Sequence, residues 1–297
     1  MYRNKGALNN ETTSLRWWWV GKSTAMLSLA AVLLLLHLRL VYDDAQIFHD
    51  SAVTATATVQ KETEEDAEVE SCLRPRRSNA VKKSRPSRPF INLGMPKMGS
   101  TSLHSYFECG GYTSVHWDWC GKDKKNIYCG DCIEESIQAG LPPLSMCKQV
   151  DSYAQIDRGP ENLVQVNYLN EIVRGVPNAT FVLTFRNMTK WYISMTNWVN
   201  KNYKINLRTR FERANITGLP AGVGRNVSEF SDFYCEYVKR VRKEVALYPG
   251  HELIEIDIED PMVGWQMEEA FGINHTCWGR SNAGTKAVSV SVDELQR

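Results

Sequence analysis

The sequence lacks a marked excess of either charge. Its 297 residues contain 35 Lys and Arg against 34 Asp and Glu, which gives a formal net charge of +1 at pH 7. Basic residues are concentrated at the start, so residues 1–42 carry a net charge of +4 and the remainder −3. Bulk charge therefore does not indicate a nucleic-acid binder in the larger C-terminal part. The sequence also has no internal repeat, which excludes a repeat architecture.

Long hydrophobic runs are scarce as well, and one stands out at residues 23–38. This run is short for a membrane-spanning helix, which needs roughly 20 apolar residues. Three tryptophans at residues 17–19 extend it, and basic residues flank it on both sides. We therefore predict a transmembrane signal anchor at residues 23–42 and, by the positive-inside rule, a cytoplasmic tail at residues 1–22. A cleaved signal peptide and a buried core helix are the alternatives.

The cysteine content agrees with a body that lies in an oxidising lumen. Eight cysteines form an even set that could pair as disulfides: Cys72, Cys109, Cys120, Cys129, Cys132, Cys147, Cys235 and Cys277. Their spacing does not fix the connectivity. A zinc site built from the four cysteines at residues 120–147, or a redox pair of Cys129 and Cys132, is an alternative with poorly matching spacing.

Glycosylation sequons give the same indication. Four of them follow the hydrophobic run, and they begin at Asn178, Asn215, Asn226 and Asn274. Each is a weak signal alone, because the tripeptide is common. A fifth sequon begins at Asn187, which we place in a binding site and expect to remain unmodified.

Residues 43–88 read as a disordered stem. The stretch SAVTATATVQKETEEDAEVE is small, polar and acidic, without apolar periodicity, so it cannot bury enough surface to fold. A basic run follows at residues 74–88. Alone, such a run could be a nuclear signal or a nucleic-acid patch. After a membrane anchor, a solvated tether is the better interpretation, and we expect no nucleic-acid partner.

We predict that the folded domain occupies residues 89–297. Short apolar strands alternate with helical patterns: strands at PFINLGM, YTSVHW, TFVLTF and HELIEIDI, and helices near residues 100–109, 161–174, 189–203, 228–247 and 261–271. A cysteine-rich insertion covers residues 118–150. Strands that alternate with helices predict an α/β fold with a central parallel sheet and helices on both faces.

The segment that carries most chemical information is Gly94–Thr101, GMPKMGST, between a predicted strand and a predicted helix. Backbone N–H groups and the helix dipole make such a junction an anion site. Nucleoside-triphosphate-binding loops place a lysine after their second glycine. Here Lys97 precedes Gly99 by two residues, and no lysine follows it. This is therefore not a standard ATP or GTP loop.

The segment resembles the 5'-phosphosulfate loop of sulfotransferases, P-K-x-G-T-T, which Pro96 to Thr101 match with one serine for threonine. The resemblance implies a P-loop-like three-layer fold and the donor 3'-phosphoadenosine 5'-phosphosulfate (PAPS). It also implies that Lys97 contacts the sulfuryl group and the bridging oxygen. The remaining implied contacts of the donor's 5' end are Pro96, Gly99, Ser100 and Thr101. No metal is required for this chemistry.

A second match follows the strand TFVLTF. Family members have an arginine after a later strand and a serine eight residues on, and both bind the 3'-phosphate of the donor. Arg186 and Ser194 match this pattern, although Met188 stands where the family often has proline. The guanidinium offers a planar pair of donors to a phosphate. A third, looser match is a C-terminal loop that closes over the nucleotide, for which Gly279, Arg280 and Lys286 are candidates.

The acceptor hydroxyl must lose its proton, and His116 is our candidate general base. It ends the second predicted strand, at the sheet edge where the first strand delivers Lys97. The family often has a glutamate near this position, which this chain lacks. His104 and Asp118 are the reserves. Tryptophans, Trp117 among them, could line an acceptor cleft, although core packing is their default role.

Together these features predict a PAPS-dependent sulfotransferase on the Golgi membrane, single-pass type II, with its catalytic domain in the lumen. The expected acceptor is a hydroxyl of a glycan or glycoprotein, because anchored lumenal members of the family modify glycans. A P-loop kinase-like phosphotransferase and a non-catalytic lumenal binding protein with the same fold are the alternatives.

Overall fold

The computed structural model describes residues 39, 71–76, 86–117, 120–122, 127–158, 162–199, 205–213, 216 and 224–279. The chain divides into two units, Met1–Asp66 and Ala67–Arg297. Arg39 is the one described residue of the first unit, so the predicted tail and anchor lie outside the described residues. Within the described part of the chain, no helix combines the length and the apolar character needed to cross a membrane.

Among the described residues, five strands form one sheet in the order β2-β3-β1-β4-β5. The strands are β1 (Phe90–Asn92), β2 (Ser114–His116), β3 (Ser152–Gln155), β4 (Thr180–Phe185) and β5 (Glu252–Asp257). All neighbouring strands pair in parallel, so their carboxyl ends meet at one edge of the sheet. The predicted α/β fold with a central parallel sheet is confirmed.

The helices that connect and cover these strands are α1 (Ser100–Cys109), α2 (Cys129–Gln138), α3 (Val164–Asn167), α4 (Leu169–Gly175), α5 (Met188–Asn197), α6 (Leu207–Arg213), α7 (Val227–Ala246) and α8 (Val263–Phe271), with a 3₁₀ turn at His275–Cys277. Local signals account for several of their ends. The side chains of Asn187 and Asn226 cap α5 and α7 by accepting from the N–H three residues on. Gly272 ends α8 in the left-handed conformation, with φ of 70°.

Successive side chains of a strand point to opposite faces of the sheet. Helices pack against both faces, so both are covered. Phe90 and Val182 belong to a buried cluster with residues of α1 and α8. Their neighbours Ile91 and Phe181 belong to a second, larger cluster with residues of α4, α5 and α7. The result is helices, sheet and helices in three layers, as predicted.

Several elements differ from the sequence-based prediction. The strand β3 was not predicted, and neither were α2 within the cysteine-rich insertion and α6. The helix predicted at residues 161–174 is split into α3 and α4 at Tyr168, whose φ of −121° and ψ of 29° are not helical. Apolar periodicity continues across the split, since Val166 and Leu169 are both buried, so the pattern alone does not show the break.

All eight cysteines form disulfides: Cys72–Cys235, Cys109–Cys277, Cys120–Cys129 and Cys132–Cys147. Disulfide pairing is therefore confirmed. The zinc alternative is wrong, because the four thiols it requires are consumed in two disulfides. The redox pair is wrong too, since Cys129 and Cys132 bond to different partners.

Residues 71–76 belong to the folded domain rather than to a disordered stem. Cys72 is buried and bonds to Cys235 of α7. The carbonyl of Arg74 accepts a hydrogen bond from Arg242 at 2.8 Å, and the N–H of Arg76 donates to Glu255 at 2.6 Å. This corrects the predicted stem over these six residues, because a local composition argument cannot detect a covalent link to a helix far along the chain.

Candidate active site

A cavity of about 490 Å³ opens at the carboxyl edge of the sheet. The segments that follow all five strands line it: the loop at 96–100 after β1, His116 and Trp117 at the end of β2, residues 155–158 after β3, Arg186 after β4, and Glu259 after β5. This is the edge at which parallel α/β sheets bind ligands. The position of the cavity therefore follows from the topology.

Carbonyl groups of the loop between β1 and α1 are occupied by hydrogen bonds to the rest of the protein. Four of these carbonyls accept hydrogen bonds from side chains of other elements: Leu93 from Tyr237 at 2.8 Å, Gly94 from Gln165 at 3.3 Å, Pro96 from Trp191 at 2.8 Å and Lys97 from Arg186 at 2.9 Å. The N–H groups of the first turn of α1 have no partner within the helix. Such a loop binds an anion at the helix N-terminus.

Two glycines make this loop path possible. A Cβ atom at Gly94 would lie 1.9 Å from the Thr184 hydroxyl oxygen, so the loop passes directly against β4. Gly99 precedes α1 with φ of 87°, a left-handed conformation that glycine adopts without strain. Lys97 also has a positive φ, 68°, although it has a side chain. Strain of this kind persists only where surrounding contacts fix the backbone.

Arg186 is one of those contacts. Its Nη1 donates to the carbonyl of Lys97 at 2.9 Å, and its Nε lies 3.4 Å from Glu259 Oε1. Burial and the positive charge of Arg186 lower the pKa of Lys97 below its usual value. The two cations predicted to bind opposite ends of the donor therefore lie in one cavity, close enough to interact. An anionic ligand placed between them would relieve their repulsion.

Ser194 on α5 lines the same cavity, beside Trp198, Leu207 and Arg210. It lies two turns along the helix that begins just after Arg186. A phosphate near Arg186 would thus have a hydroxyl donor within the cavity. Glu259 is the acidic neighbour of Arg186 in this part of the cavity. Its carboxylate also accepts a hydrogen bond from Lys190 Nζ at 3.2 Å. A phosphate that binds Arg186 would share or displace this carboxylate.

His116 contacts the start of α1. The pairing of β2 with β3 shifts in register between Val115 and His116, because Ala154 of β3 has no partner there. The Nε2 atom of His116 lies 3.1 Å from the Ser100 hydroxyl oxygen and 3.4 Å from that of Thr101. Burial, followed by the positive charges of His104 and Lys97, lowers the pKa of His116 to about 4. The imidazole is therefore neutral at physiological pH.

A chain of hydrogen bonds fixes which nitrogen of His116 carries the proton. The carboxylate of Asp157 accepts from Gln155 Nε2 at 3.0 Å, which leaves Gln155 Oε1 to accept from Ser100 at 2.9 Å. A serine hydroxyl has one proton to donate. Ser100 must then accept from His116, so Nε2 is protonated. In this arrangement Nε2 is a donor, and the predicted role of His116 as a general base needs its other nitrogen.

The structure thus brings eight of the predicted site residues to one cavity: Pro96, Lys97, Gly99, Ser100, Thr101, His116, Arg186 and Ser194. It does not bring Gly279 there. Gly279 is exposed, although its neighbour Trp278 lines the cavity. The disulfide between Cys277 and Cys109 ties this segment to the far end of α1. Arg280, Lys286 and the reserve base Asp118 lie outside the described residues.

Sequence reasoning missed Gln155, Asp157, Arg158 and Glu259. Gln155 ends β3 and the next two follow it, and this strand was itself missed. Glu259 follows β5, which was predicted. Because parallel strands end at one edge, the residues after HELIEIDI were candidates for the cavity as soon as the sheet was predicted.

A parallel sheet whose first strand runs through a glycine-containing anion loop into a helix defines a P-loop-like nucleotide-binding fold. A profile of the sulfotransferase domain family matches residues 90–267. This range runs from β1 into α8, covers more than half of the chain, and includes both motifs that were predicted to bind phosphate. The chain belongs to this sulfotransferase family, as its motifs predicted. A comparison with curated proteins gives no match.

Proposed function

We propose that this chain transfers a sulfuryl group from PAPS to a hydroxyl group of a carbohydrate. One observation carries the proposal: a single cavity combines an anion-binding loop that contains Lys97 with Arg186 and Ser194. PAPS is a nucleotide with an anionic group at its 5' end and another at its 3' position. The cavity offers cationic and hydroxyl donors suited to both groups.

The residues present would contribute to transfer mainly through electrostatics. Charge develops on the oxygen that bridges sulfur and the 5'-phosphate as that bond breaks, and a lysine beside it stabilises the transition state more than the ground state. Lys97 suits this task, because Arg186 holds its backbone carbonyl. The N–H groups of Ser100 and Thr101 would hold the 5'-phosphate during the reaction.

The proposed location is the Golgi lumen, with residues 23–42 as a type II membrane anchor. The disulfides support an oxidising compartment, because they rarely persist in the cytosol. Carbonate extraction of membranes and a glycosidase shift of the native protein test this part. Release into the soluble fraction at the full chain length would contradict the anchor.

The activity test is transfer of labelled sulfate from PAPS across panels of glycans and tyrosine peptides. Lys97→Ala should lower kcat by about 10²–10³-fold, the usual cost of removing one electrostatic contact to the transition state. Lys243→Ala, an exposed lysine on α7, is the matched control and should have no effect. ATP hydrolysis that depends on Lys97 would indicate a kinase-like enzyme instead. Absence of binding to 3'-phosphoadenosine 5'-phosphate (PAP) would indicate a non-catalytic protein.

A further inference from the structure

The end of the cavity next to β2 and β3 holds two large side chains that the proposed donor contacts do not use. Trp117 follows β2 directly, and Arg158 lies three residues beyond β3; both line the cavity. They are neighbours of His116 and Gln155, which adjoin the Lys97 loop through Ser100. This end is therefore close to the position of the sulfuryl group in the proposed function.

Trp117 has a backbone conformation that is unusual for its size. Its φ is 64°, in the left-handed region where a bulky residue is a genuine outlier. Two hydrogen bonds hold it there: its N–H donates to Gln155 at 3.1 Å, and its carbonyl accepts from Cys129 at 2.9 Å. Strain of this kind costs about 1–3 kcal/mol and clusters at ligand sites. The structure holds the indole at the cavity against that cost.

Tyr128 and Arg158 continue the surface that Trp117 begins. The Trp117 and Tyr128 rings lie 4.9 Å apart, and the Arg158 guanidinium lies 5.9 Å from the Tyr128 ring centre. The Cys120–Cys129 disulfide closes the loop that carries Tyr128. The indole of Trp117, supported by the tilted ring of Tyr128, thus lies with a guanidinium beside the proposed transfer centre.

The acidic partner of Arg158 holds it weakly. Arg158 Nη1 lies 3.5 Å from Asp131 Oδ1, and the arginine side chain is 55% exposed. Exposed ion pairs of this kind contribute about 0–1 kcal/mol. Burial, with the nearby charges of Glu134 and Glu135, raises the pKa of Asp131 even though Arg158 opposes the shift. An incoming anion would therefore compete at Arg158 only with a weak ion pair.

We propose that this surface is the acceptor subsite, and that its ligand is an anionic saccharide. The sugar ring lies against Trp117, and a carboxylate or sulfate group of the same or the next residue binds Arg158. Aromatic faces pack against the apolar C–H faces of sugars, and the planar guanidinium matches either oxyanion. This inference rests on the proposed function, because it names the substrate class of the same site.

The transfer step is that of the proposed function. The acceptor oxygen forms a bond to sulfur as the bond from sulfur to the 5'-phosphate oxygen breaks. The electron pair of the broken bond goes to that phosphate oxygen, and PAP leaves. The acceptor's hydroxyl proton passes to water, directly or through a base. Trp117 and Arg158 only position the acceptor, so they should affect the acceptor KM more than kcat.

The first test compares an oligosaccharide that contains uronic acid with its carboxyl-reduced counterpart. The acidic form should have the lower KM. Arg158→Ala should raise the KM of the acidic form about 10-fold or more, the value of one charge-assisted hydrogen bond, and leave the reduced form unchanged. Arg158→Lys should restore part of the loss. Arg174→Ala, on the exposed last turn of α4, is the matched control.

The second test uses the strained backbone of Trp117. Trp117→Gly removes the indole but relieves the positive φ, so the folded protein should keep its thermal stability while the acceptor KM rises about 10-fold or more. A tryptophan that only packs the core would cost about 3–5 kcal/mol of stability when removed. Trp265→Ala, an exposed tryptophan of α8, is the matched control.

Three results would overturn the subsite. Equal KM values for the acidic and reduced saccharides would do so, and so would an unchanged acceptor KM in both variants. Preference for a tyrosine peptide over every saccharide would assign the surface to a protein acceptor. Two further measurements separate these outcomes from failure of the proposed function: calorimetric binding of PAP, and slow hydrolysis of PAPS in the absence of acceptor. Both require only the donor site. If those two persist, only the acceptor assignment is wrong.

Discussion

The two halves of the cavity are built in different ways. In the proposed donor half, the loop that contains Lys97 is held from outside by side chains of four other positions, each bonded to one of its carbonyls. In the proposed acceptor half, a register shift between β2 and β3, a strained tryptophan and a disulfide-closed loop bring Trp117, Tyr128 and Arg158 together. The proposed donor contacts belong to two short motifs, whereas the proposed acceptor contacts are single side chains from separate segments.

This difference teaches how function is distributed over the chain. Phosphate binding by backbone N–H groups needs consecutive residues, so it leaves a short motif that can be read from the sequence. Acceptor binding by side chains needs only proximity in space, so it leaves no motif. Donor contacts should therefore depend on the loop and its supports, and acceptor contacts should depend on the insertion after β2.

The largest expected effect that tests this division is on donor binding. Arg186→Ala removes a proposed phosphate contact and also the hydrogen bond that holds the Lys97 carbonyl. The dissociation constant of PAP should rise about 100-fold, since hydrogen bonds to charged groups contribute about 1.5–3 kcal/mol. Arg186→Lys should recover little, because one ammonium cannot reproduce the planar fork. Titration calorimetry measures both.

Arg174→Ala is the control for this variant too, and it should bind PAP like the wild type. Glu259→Gln sharpens the test, because it removes the carboxylate that lies 3.4 Å from Arg186. Its affinity for PAP should be equal to or higher than that of the wild type. Wild-type affinity in Arg186→Ala would show that this arginine supports the loop without contacting the donor.

The sequence located most residues of the proposed donor half in the cavity, because they belong to short motifs. Lys97, Gly99 and Ser100 lie within one loop, and Arg186 and Ser194 are separated by two helical turns. Both sets are close in the chain, so spacing alone locates them. The alternation of apolar strands and helices likewise predicted four of the five strands of the sheet.

The acceptor half could not be predicted in the same way. Strand β3 is only SYAQ, four residues without a distinct pattern, and missing it removed Gln155 and Arg158 from consideration. The positive φ of Trp117 depends on hydrogen bonds to β3 and to Cys129. The pairing of Cys120 with Cys129 could not be chosen among the eight cysteines from spacing. Each of these facts is a tertiary contact.

Removal of a disulfide tests the acceptor half next. Replacing Cys120 and Cys129 by serine should loosen the loop that carries Tyr128, so the acceptor KM should rise about 10-fold while PAP affinity is unchanged. The same change at Cys72 and Cys235 is the matched control, because that disulfide lies outside the cavity lining.

Both double variants should lose about 2–5 kcal/mol of unfolding free energy. Only the variant without the Cys120–Cys129 disulfide should change the acceptor KM. Thermal unfolding measures the stability of both variants, and steady-state kinetics measures their KM. An equal rise of KM in both variants would mean that stability, not local position, controls acceptor binding.

The smallest effect concerns His116, which joins the two halves of the cavity. Its pKa is lowered to about 4 in the folded protein, while an unfolded histidine has a pKa of about 6.5. Between these values the unfolded chain binds the proton and the folded protein does not. Stability from the neutral imidazole is therefore complete above about pH 6.5 and declines as the pH falls towards 4.

His116→Gln retains an N–H that can donate to Ser100 but does not titrate. Between pH 7.5 and pH 5, urea unfolding should show the wild type losing about 2 kcal/mol more than this variant. The kcat of the wild type should show no inflection near pH 6.5, because the imidazole is already neutral there. An inflection at that pH, absent from His116→Gln, would mean that His116 is exposed to solvent and available as a base. The chain of hydrogen bonds from His116 through Ser100 and Gln155 to Asp157 would then not be present in the active enzyme.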